Sequence, residues 1–207
     1  MIIYTFPLGL LLANCYFAVC GKTKKAIIID PADEGDFLLQ KIKELSIKPL
    51  FMVATHGHFD HLMAALEIRL SLKIPFLMSE KDLPLLARHQ KTANYFLKYE
   101  VDPVPKVDRF LKEGDILTFG QEKLRVIETP GHTQGSVSLF TLQGAQSLFT
   151  GDTIFNDGSI GRTDLEGGSA EKLRESIKKL SKLPPQTLIY PGHGETGGKL
   201  SNVVFRN

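Results

Sequence analysis

The sequence predicts an α+β protein in which two β-rich halves pack sheet on sheet with helices outside. Three observations lead there. The order strand–Asp30–helix–strand–His56 returns as strand–Asp152–helix–strand–His193, a repeat of pattern with little identity. No stretch between the halves is long enough to be a linker, so residues 1–207 read as one domain. The composition, 43% hydrophobic and 23% charged, is that of a chain able to bury a core.

Ile2 to Phe6, Cys15 to Val19 and Lys25 to Asp30 are rich in Ile, Val and aromatics and read as short strands separated by glycine turns. Asp33 is placed to cap a helix whose apolar Phe37, Leu38, Ile42 and Leu45 recur at helical spacing. Pro49 is expected to stop it. Leu50 to Thr55 then reads as an apolar strand of the buried parallel kind. Leu62 to Leu70 carry apolar groups at helical spacing, which puts Asp60 at a helix N-terminus, where the macrodipole favours a carboxylate. Ile74 to Met78 is a short strand. Residues 80–100 are helical in pattern but irregular, end at Asp102-Pro103-Val104-Pro105, and form a surface excursion able to act as a lid.

In the second half, strands are expected at Ile116–Phe119, Lys123–Glu128, Val137–Thr141 and Ser147–Thr150. A glycine-rich loop runs from Asn156 to Gly168. Ser169 caps a helix with Leu173, Ile177 and Leu180 inward, Glu171 in its first turn and Lys178, Lys179 and Lys182 near its end. Pro184-Pro185 ends it, and Thr187 to Tyr190 is the last strand.

A net charge of +2 does not suggest nucleic acid or an anionic membrane as partner. Phe6 to Ala13 is apolar but lacks a basic flank, and Asn14 stands where a cleavage site needs a small residue. No run approaches the roughly 18 apolar residues that span a bilayer. Two cysteines, Cys15 and Cys20, make no disulfide framework and are expected buried and reduced in one strand. The expectation is a cytoplasmic protein acting on a small molecule; the oligomeric state is not legible.

The chemistry concentrates in His56-Gly57-His58-Phe59-Asp60-His61, which holds half of the six histidines directly after an apolar strand. Imidazole and carboxylate are borderline ligands suited to zinc, iron or manganese. Gly131-His132, Gly151-Asp152 and Gly192-His193 also follow apolar strands and tight turns, where strand ends present ligands. Residues two apart in extended backbone point the same way, so His56 and His58 suit one ion. Asp60 and His61, where the chain turns, suit a second. His132 completes the first set and His193 the second, while Asp152 is free to bridge both through its two oxygens. Three protein ligands with an open position are typical of a catalytic rather than a structural site. His89 alone stands apart and reads as a surface or packing histidine.

With these residues in view, the chain resembles the metallo-β-lactamase-fold hydrolases from Asn14-Cys15-Tyr16 onwards. His56, His58, Asp60, His61, His132, Asp152 and His193 match that family's seven-ligand pattern. Gly151-Asp152-Thr153-Ile154-Phe155, Gly161-Arg162-Thr163-Asp164 and Pro191-Gly192-His193-Gly194 resemble the short glyoxalase II-like branch. The resemblance implies a four-layer αββα sandwich, two mixed sheets face to face, and a centre of two divalent metals, zinc first, with iron or manganese as alternatives. Asp30 matches a position that supports the metal loops by hydrogen bonds without being a ligand. Arg162 matches a cationic substrate-contacting position.

The implied activity is that of a binuclear metallohydrolase. Two cations sharing a water lower its pKa from about 15.7 towards 7, and the resulting hydroxide attacks a carbonyl. Asp60 ligates one ion and orients that hydroxide as the catalytic carboxylate. No spare histidine is placed as a general acid, which favours a thiolate leaving group, with a conjugate-acid pKa of about 8.5. A thioester is therefore the expected substrate, and the resemblance implies one of the S-acylglutathione type. The alternatives are an iron-dependent persulfide dioxygenase using His56, His132 and Asp152, and a lactonase or phosphodiesterase of the same fold. Glyoxalase II enzymes grip glutathione with basic residues of a helical C-terminal domain. Here only Lys199 and Arg206 are cationic after His193, so such a domain is expected to be missing.

Overall fold

The computed structural model describes residues 1–204. Strands β1 (Ile2–Leu8), β2 (Ala13–Val19), β3 (Lys25–Ile29), β4 (Lys48–Val53), β5 (Phe76–Met78) and β6 (Arg109–Phe110) form one sheet in that order. Strands β7 (Ile116–Phe119), β8 (Glu122–Glu128), β9 (Val137–Thr141), β10 (Ser147–Gly151), β11 (Leu188–Pro191) and β12 (Gly198–Lys199) form the other. Both sheets are mixed. The parallel pairs β3/β4 and β10/β11 carry the repeat seen in the sequence, one bridged by α1 (Gly35–Glu44) and the other by α5 (Ala170–Leu180).

Three clusters of buried side chains define the layers. Between the sheets lie Tyr16, Ala18, Ile27, Ile29 and Val53 against Leu117, Phe119, Leu124, Val126, Leu139 and Phe149. On the outer face of the first sheet, Cys15, Phe17, Ile28 and Met52 meet Leu38 and Ile42 of α1 and Ile68 of α2 (Ala65–Leu72). On the outer face of the second, Phe140, Leu148 and Ile189 meet Leu180 of α5 and Leu200 and Val203 of α6 (Leu200–Val204). Strand β2 shows why. Its side chains alternate between the helix layer (Cys15, Phe17, Val19) and the facing sheet (Tyr16, Ala18), and all seven residues are buried. The αββα sandwich expected from the sequence is thus present.

Several local expectations are corrected. Glu34, in left-handed conformation (φ 53°), and not Asp33, occupies the N-cap of α1; the Asp33 carboxylate instead accepts the Glu34 N–H at 2.7 Å. Pro49 does not precede β4 but lies inside it, opposite Ala26, while Leu45 and the left-handed Ser46 end the helix. Asp60 is not at the N-terminus of α2. It lies in a separate 3-10 turn, Phe59–His61, because the chain must bend there to aim two consecutive side chains before it can enter a helix. Cys20 follows the end of β2 instead of sharing the strand with Cys15; both are free and buried. β6, β12 and α6 were not expected, being too short or too weakly patterned to stand out. Arg206 lies outside the described residues. Among those described, no helix is long and apolar enough to cross a membrane.

The irregular segment after β5 comprises a 3-10 turn (Glu80–Asp82), α3 (Leu83–Leu86) and α4 (His89–Leu97). Helix α4 packs on the Phe59–His61 turn, with the Phe96 and Phe59 rings stacked 5.8 Å apart at 16°. His89, at the start of α4, is buried. The packing reading of this histidine holds; the surface reading does not.

Candidate metal centre

The seven side chains come from the ends of four strands. β4 delivers His56, His58, Asp60 and His61; the turn after β8 delivers His132; β10 and β11 deliver Asp152 and His193. The two sheets are laced together at this edge. Asn14 Nδ2 donates to the carbonyls of Pro191 and Gly194, both at 3.0 Å, and the Tyr16 hydroxyl donates to Pro191 O. The Val137 N–H donates to Thr55 O at 2.8 Å. Candidate ligands from both halves therefore meet at one point. Tyr190 packs edge-on to Tyr16 behind them, a core contact.

The ligand atoms of His56, His58 and His132 lie within 4.8 Å of one another, as do those of Asp60, His61 and His193, and those of His56, His61 and Asp152. The first two groups coincide with the sets expected from the sequence, and the third crosses them. Asp152 stands between them. Its Oδ1 is 3.6 Å from His61 Nε2, and its Oδ2 is 3.5 Å from His132 Nε2 and 3.7 Å from His193 Nε2.

Hydrogen bonds on the outward side decide which nitrogen of each ring faces the centre. His56 Nδ1 donates to Thr55 Oγ1 at 3.1 Å, and that hydroxyl donates on to Asp30 Oδ2 at 2.7 Å. His61 Nδ1 donates to Asp30 Oδ2 at 3.1 Å. His132 Nδ1 donates to the backbone carbonyl of Arg162 at 2.9 Å, and His193 Nδ1 to that of Leu11 at 3.0 Å. With Nδ1 bonded outward in each, the four Nε2 atoms point inward. Asp30 is no member of either ligand set, and it also accepts the Thr55 N–H at 2.6 Å. It supports His56 and His61 at once.

The donor set fits divalent cations. His61 Nε2 and Asp152 Oδ1 are buried without a hydrogen-bond partner, a costly state for polar atoms that a bound cation relieves. His56 Nε2 and His132 Nε2 both face His58 Nδ1, at 3.1 and 2.9 Å, an arrangement of mutually facing nitrogens suited to a shared ion. The electrostatics divide the cluster. Burial, aided by neighbouring imidazoles, holds His56 well below the usual histidine range and pushes His58 down to about 3. Burial also acts to lower His61, but the Asp60 and Asp152 carboxylates and the Asp30 bond outweigh it and hold the ring up at about 10. Against the effect of burial, His61 and His193 keep the Asp60 carboxyl well below its usual range. Asp60 is thus a persistent anion.

Asp82 carries no signal in the sequence, being one aspartate in an irregular helical segment. It is buried, and its Oδ2 accepts from Gly57 N at 2.8 Å and Thr133 Oγ1 at 2.7 Å while Oδ1 accepts from Gly135 N at 2.7 Å. Gly57 lies between His56 and His58, and Thr133 follows His132. One carboxylate ties together both loops of the first ligand set. Burial raises its pKa, opposed by these three donors.

Gly192 shows how little room the centre leaves. A Cβ there would stand 2.1 Å from Asp152 Oδ1 and 2.7 Å from His61 Cε1. Gly192→Ala is expected to cost about 1–3 kcal/mol by overpacking, read as a thermal midpoint lowered by several degrees. An unchanged midpoint would mean that the loop moves aside freely.

A cavity of about 450 Å³ opens onto the cluster, reaching His58, Asp60, His132, Asp152 and His193. Leu85, Arg88, Thr92 and Phe96 of the α3–α4 segment form one wall. Arg162 lines the opposite rim, but its guanidinium is held bidentately by Asp164 at 2.7 and 2.6 Å. A larger opening of about 670 Å³ elsewhere is lined by acidic residues including Asp33, Asp36, Glu67 and Asp102 and touches none of the seven.

Residues 8–193 match the model of the metallo-beta-lactamase superfamily. The probable metallo-hydrolase YqgX of Bacillus subtilis is 38% identical over 190 residues, 91% of this chain and 88% of that protein. The hydroxyacylglutathione hydrolase GloC of Haemophilus influenzae is 34% identical over 202 residues, 94% of this chain and 91% of its own. Among solved structures, TTHA1623 in a di-iron-bound form superposes with a TM-score of 0.87 at 34% identity, covering 96% of this chain and 95% of the other. The BLEG-1 B3 metallo-beta-lactamase gives 0.88 at 32%, with 97% and 95% covered. ETHE1 from Myxococcus xanthus gives 0.79 at 28%, with 98% and 81% covered.

Proposed function

Because the chain belongs to the metallo-beta-lactamase superfamily, we propose that it is a binuclear metallohydrolase whose substrates are thioesters. The observation that carries this reading is the pair of complete triads with Asp152 between them. His56, His58 and His132 would hold one ion, Asp60, His61 and His193 the second, and Asp152 would reach both. Bound there, two divalent cations supply a water acidified towards pKa 7 and a Lewis acid for the substrate carbonyl.

The chain's own groups do the rest. Asp60, kept ionised by His61 and His193, accepts a hydrogen bond from the attacking water and fixes its orientation. Asp30 and Thr55 hold the His56 and His61 rings so that Nε2 of each faces the centre. The α3–α4 segment limits access of bulk water from one side. No sixth histidine faces the cavity, since His89 is not among its lining residues. A leaving group that departs unprotonated therefore suits the site, and a thiolate is such a group. The hydroxyacylglutathione hydrolase GloC supports the same choice. We place the protein, on these grounds, among enzymes of small molecules; zinc is the first choice of metal.

A second reading rests on the likeness to the di-iron form of TTHA1623 and to ETHE1. It is an iron-dependent oxidation of a persulfide at His56, His132 and Asp152, and it leaves the Asp60–His61–His193 triad without a task. Metal analysis of purified protein, followed by thioester, lactone, β-lactam and persulfide substrates on the same preparation, separates the two. About two metals per chain and thioester turnover that a chelator abolishes are expected. One iron per chain with oxygen uptake on a persulfide would replace the hydrolytic reading.

A further inference from the structure

The cavity also bears on what the rest of the substrate is, provided that the thioester reading holds. At about 450 Å³ it sits towards the small end of ligand sites. Away from the metal cluster its walls carry five apolar side chains from separate pieces of chain, beside Arg88, Thr92, Arg162 and Glu166. Leu11 comes from the β1–β2 turn, Leu85 and Phe96 from α3 and α4, Leu165 from the glycine-rich loop, and Phe59 from the turn that carries Asp60. Leu11 and Phe96 are 46% and 51% exposed. Large apolar groups held open to water around a cavity mark a surface that a ligand covers.

The cations at the same cavity point the same way. Arg162 is engaged by Asp164, and Arg88 by Glu166 in an ion pair that joins the α3–α4 segment to the glycine-rich loop. A substrate carboxylate arriving here exchanges one carboxylate for another, an exchange of exposed ion pairs that yields little net binding. An apolar group, by contrast, gains the full free energy of leaving water. The acyl half of a thioester must lie against the cluster because its carbonyl reacts there. The thiol half, which in common thiol carriers is charged or rich in amides, suits the open mouth.

We propose that the cavity is an acyl pocket and that the protein selects thioesters of uncharged, apolar acyl groups of medium length, with Phe96, Leu85 and Leu165 as specificity-determining residues. The reaction is a hydrolysis. Water adds to the carbonyl carbon, the C–S bond breaks, and a carboxylic acid and a thiol leave with no change of oxidation state.

The test is a series of acetyl, butyryl, hexanoyl and succinyl thioesters of one thiol, assayed on the metal-loaded protein. kcat/KM should rise about 3- to 4-fold per added methylene from acetyl to hexanoyl. Phe96→Ala should flatten that rise, costing the hexanoyl substrate far more than the acetyl one, and Leu165→Ala guards against a folding defect in the first variant. Butyryl should exceed its carboxylated counterpart succinyl by about tenfold or more. A flat series, or a preference for succinyl that Arg88→Met or Arg162→Met removes, would overturn the proposal. Calorimetric titration with acetate, butyrate and hexanoate gives a readout without turnover. Affinity rising with chain length while no thioester reacts would sink the thioester reading and keep the apolar pocket. Thioester turnover with no chain-length dependence in either assay would do the reverse.

Discussion

An Asp60→Asn variant should lose about 10²- to 10⁴-fold in kcat on the preferred thioester, with a smaller change in KM. The substitution keeps the shape of the side chain and removes its charge. Asp60 Oδ2 lies 3.3 Å from His193 Nε2 and 3.8 Å from His61 Nε2, so a neutral amide weakens one triad while sparing His56, His58 and His132. Metal content should accordingly fall from about two per chain towards one. Steady-state kinetics and metal analysis on the same protein check both halves. Activity retained within about threefold would remove Asp60 from the chemistry.

The second large effect is expected at a residue that no motif points to. Asp82→Ala leaves the buried amides of Gly57 and Gly135 without their acceptor. Each orphaned group costs about 1–3 kcal/mol, so a loss of several degrees in thermal midpoint is expected. The loops that carry His58 and His132 lose their common tie, so the first ion should be bound more weakly than the second. Chelator competition on Asp82→Ala and Asp82→Asn distinguishes this from a general loss of stability. Asn keeps one acceptor oxygen and should recover part of both the midpoint and the metal. If Ala lowers the midpoint but leaves the metal affinities unchanged, Asp82 is structural only.

How far the site was legible can be argued from particular residues. His56, His58, His132, Asp152 and His193 follow apolar strands and tight turns, and a strand end is a place that pattern can locate. The pairing of His56 with His58 follows from the alternation of extended backbone, and their ligand atoms do lie together with that of His132, although His56 also lies close to His61 and Asp152. Asp60 is legible from the same histidine-rich motif, but its local setting is not: the helical pattern after it places it on a helix N-terminus, and it lies instead in a 3-10 turn held against α4. Arg162 lines the cavity, yet its fork is already taken by Asp164, and its backbone carbonyl orients His132. That second task belongs to no residue type and leaves no trace in a sequence.

The chain's own order of residues determines the layered sandwich, because period-2 and period-3.6 apolar patterns are local properties that each segment carries with it. It likewise determines which side chains can be ligands, because strand ends and adjacent glycines are local too. Only the tertiary structure decides which nitrogen of each histidine faces inward, since that depends on acceptors brought from Asp30, Leu11 and Arg162 across the fold. The same holds for Asp82, and for the apolar wall that Leu11, Phe96 and Leu165 build around the centre. Hydrogen bonds and cavity walls are pairwise and distant along the chain, and they exist only once the two sheets have closed on each other.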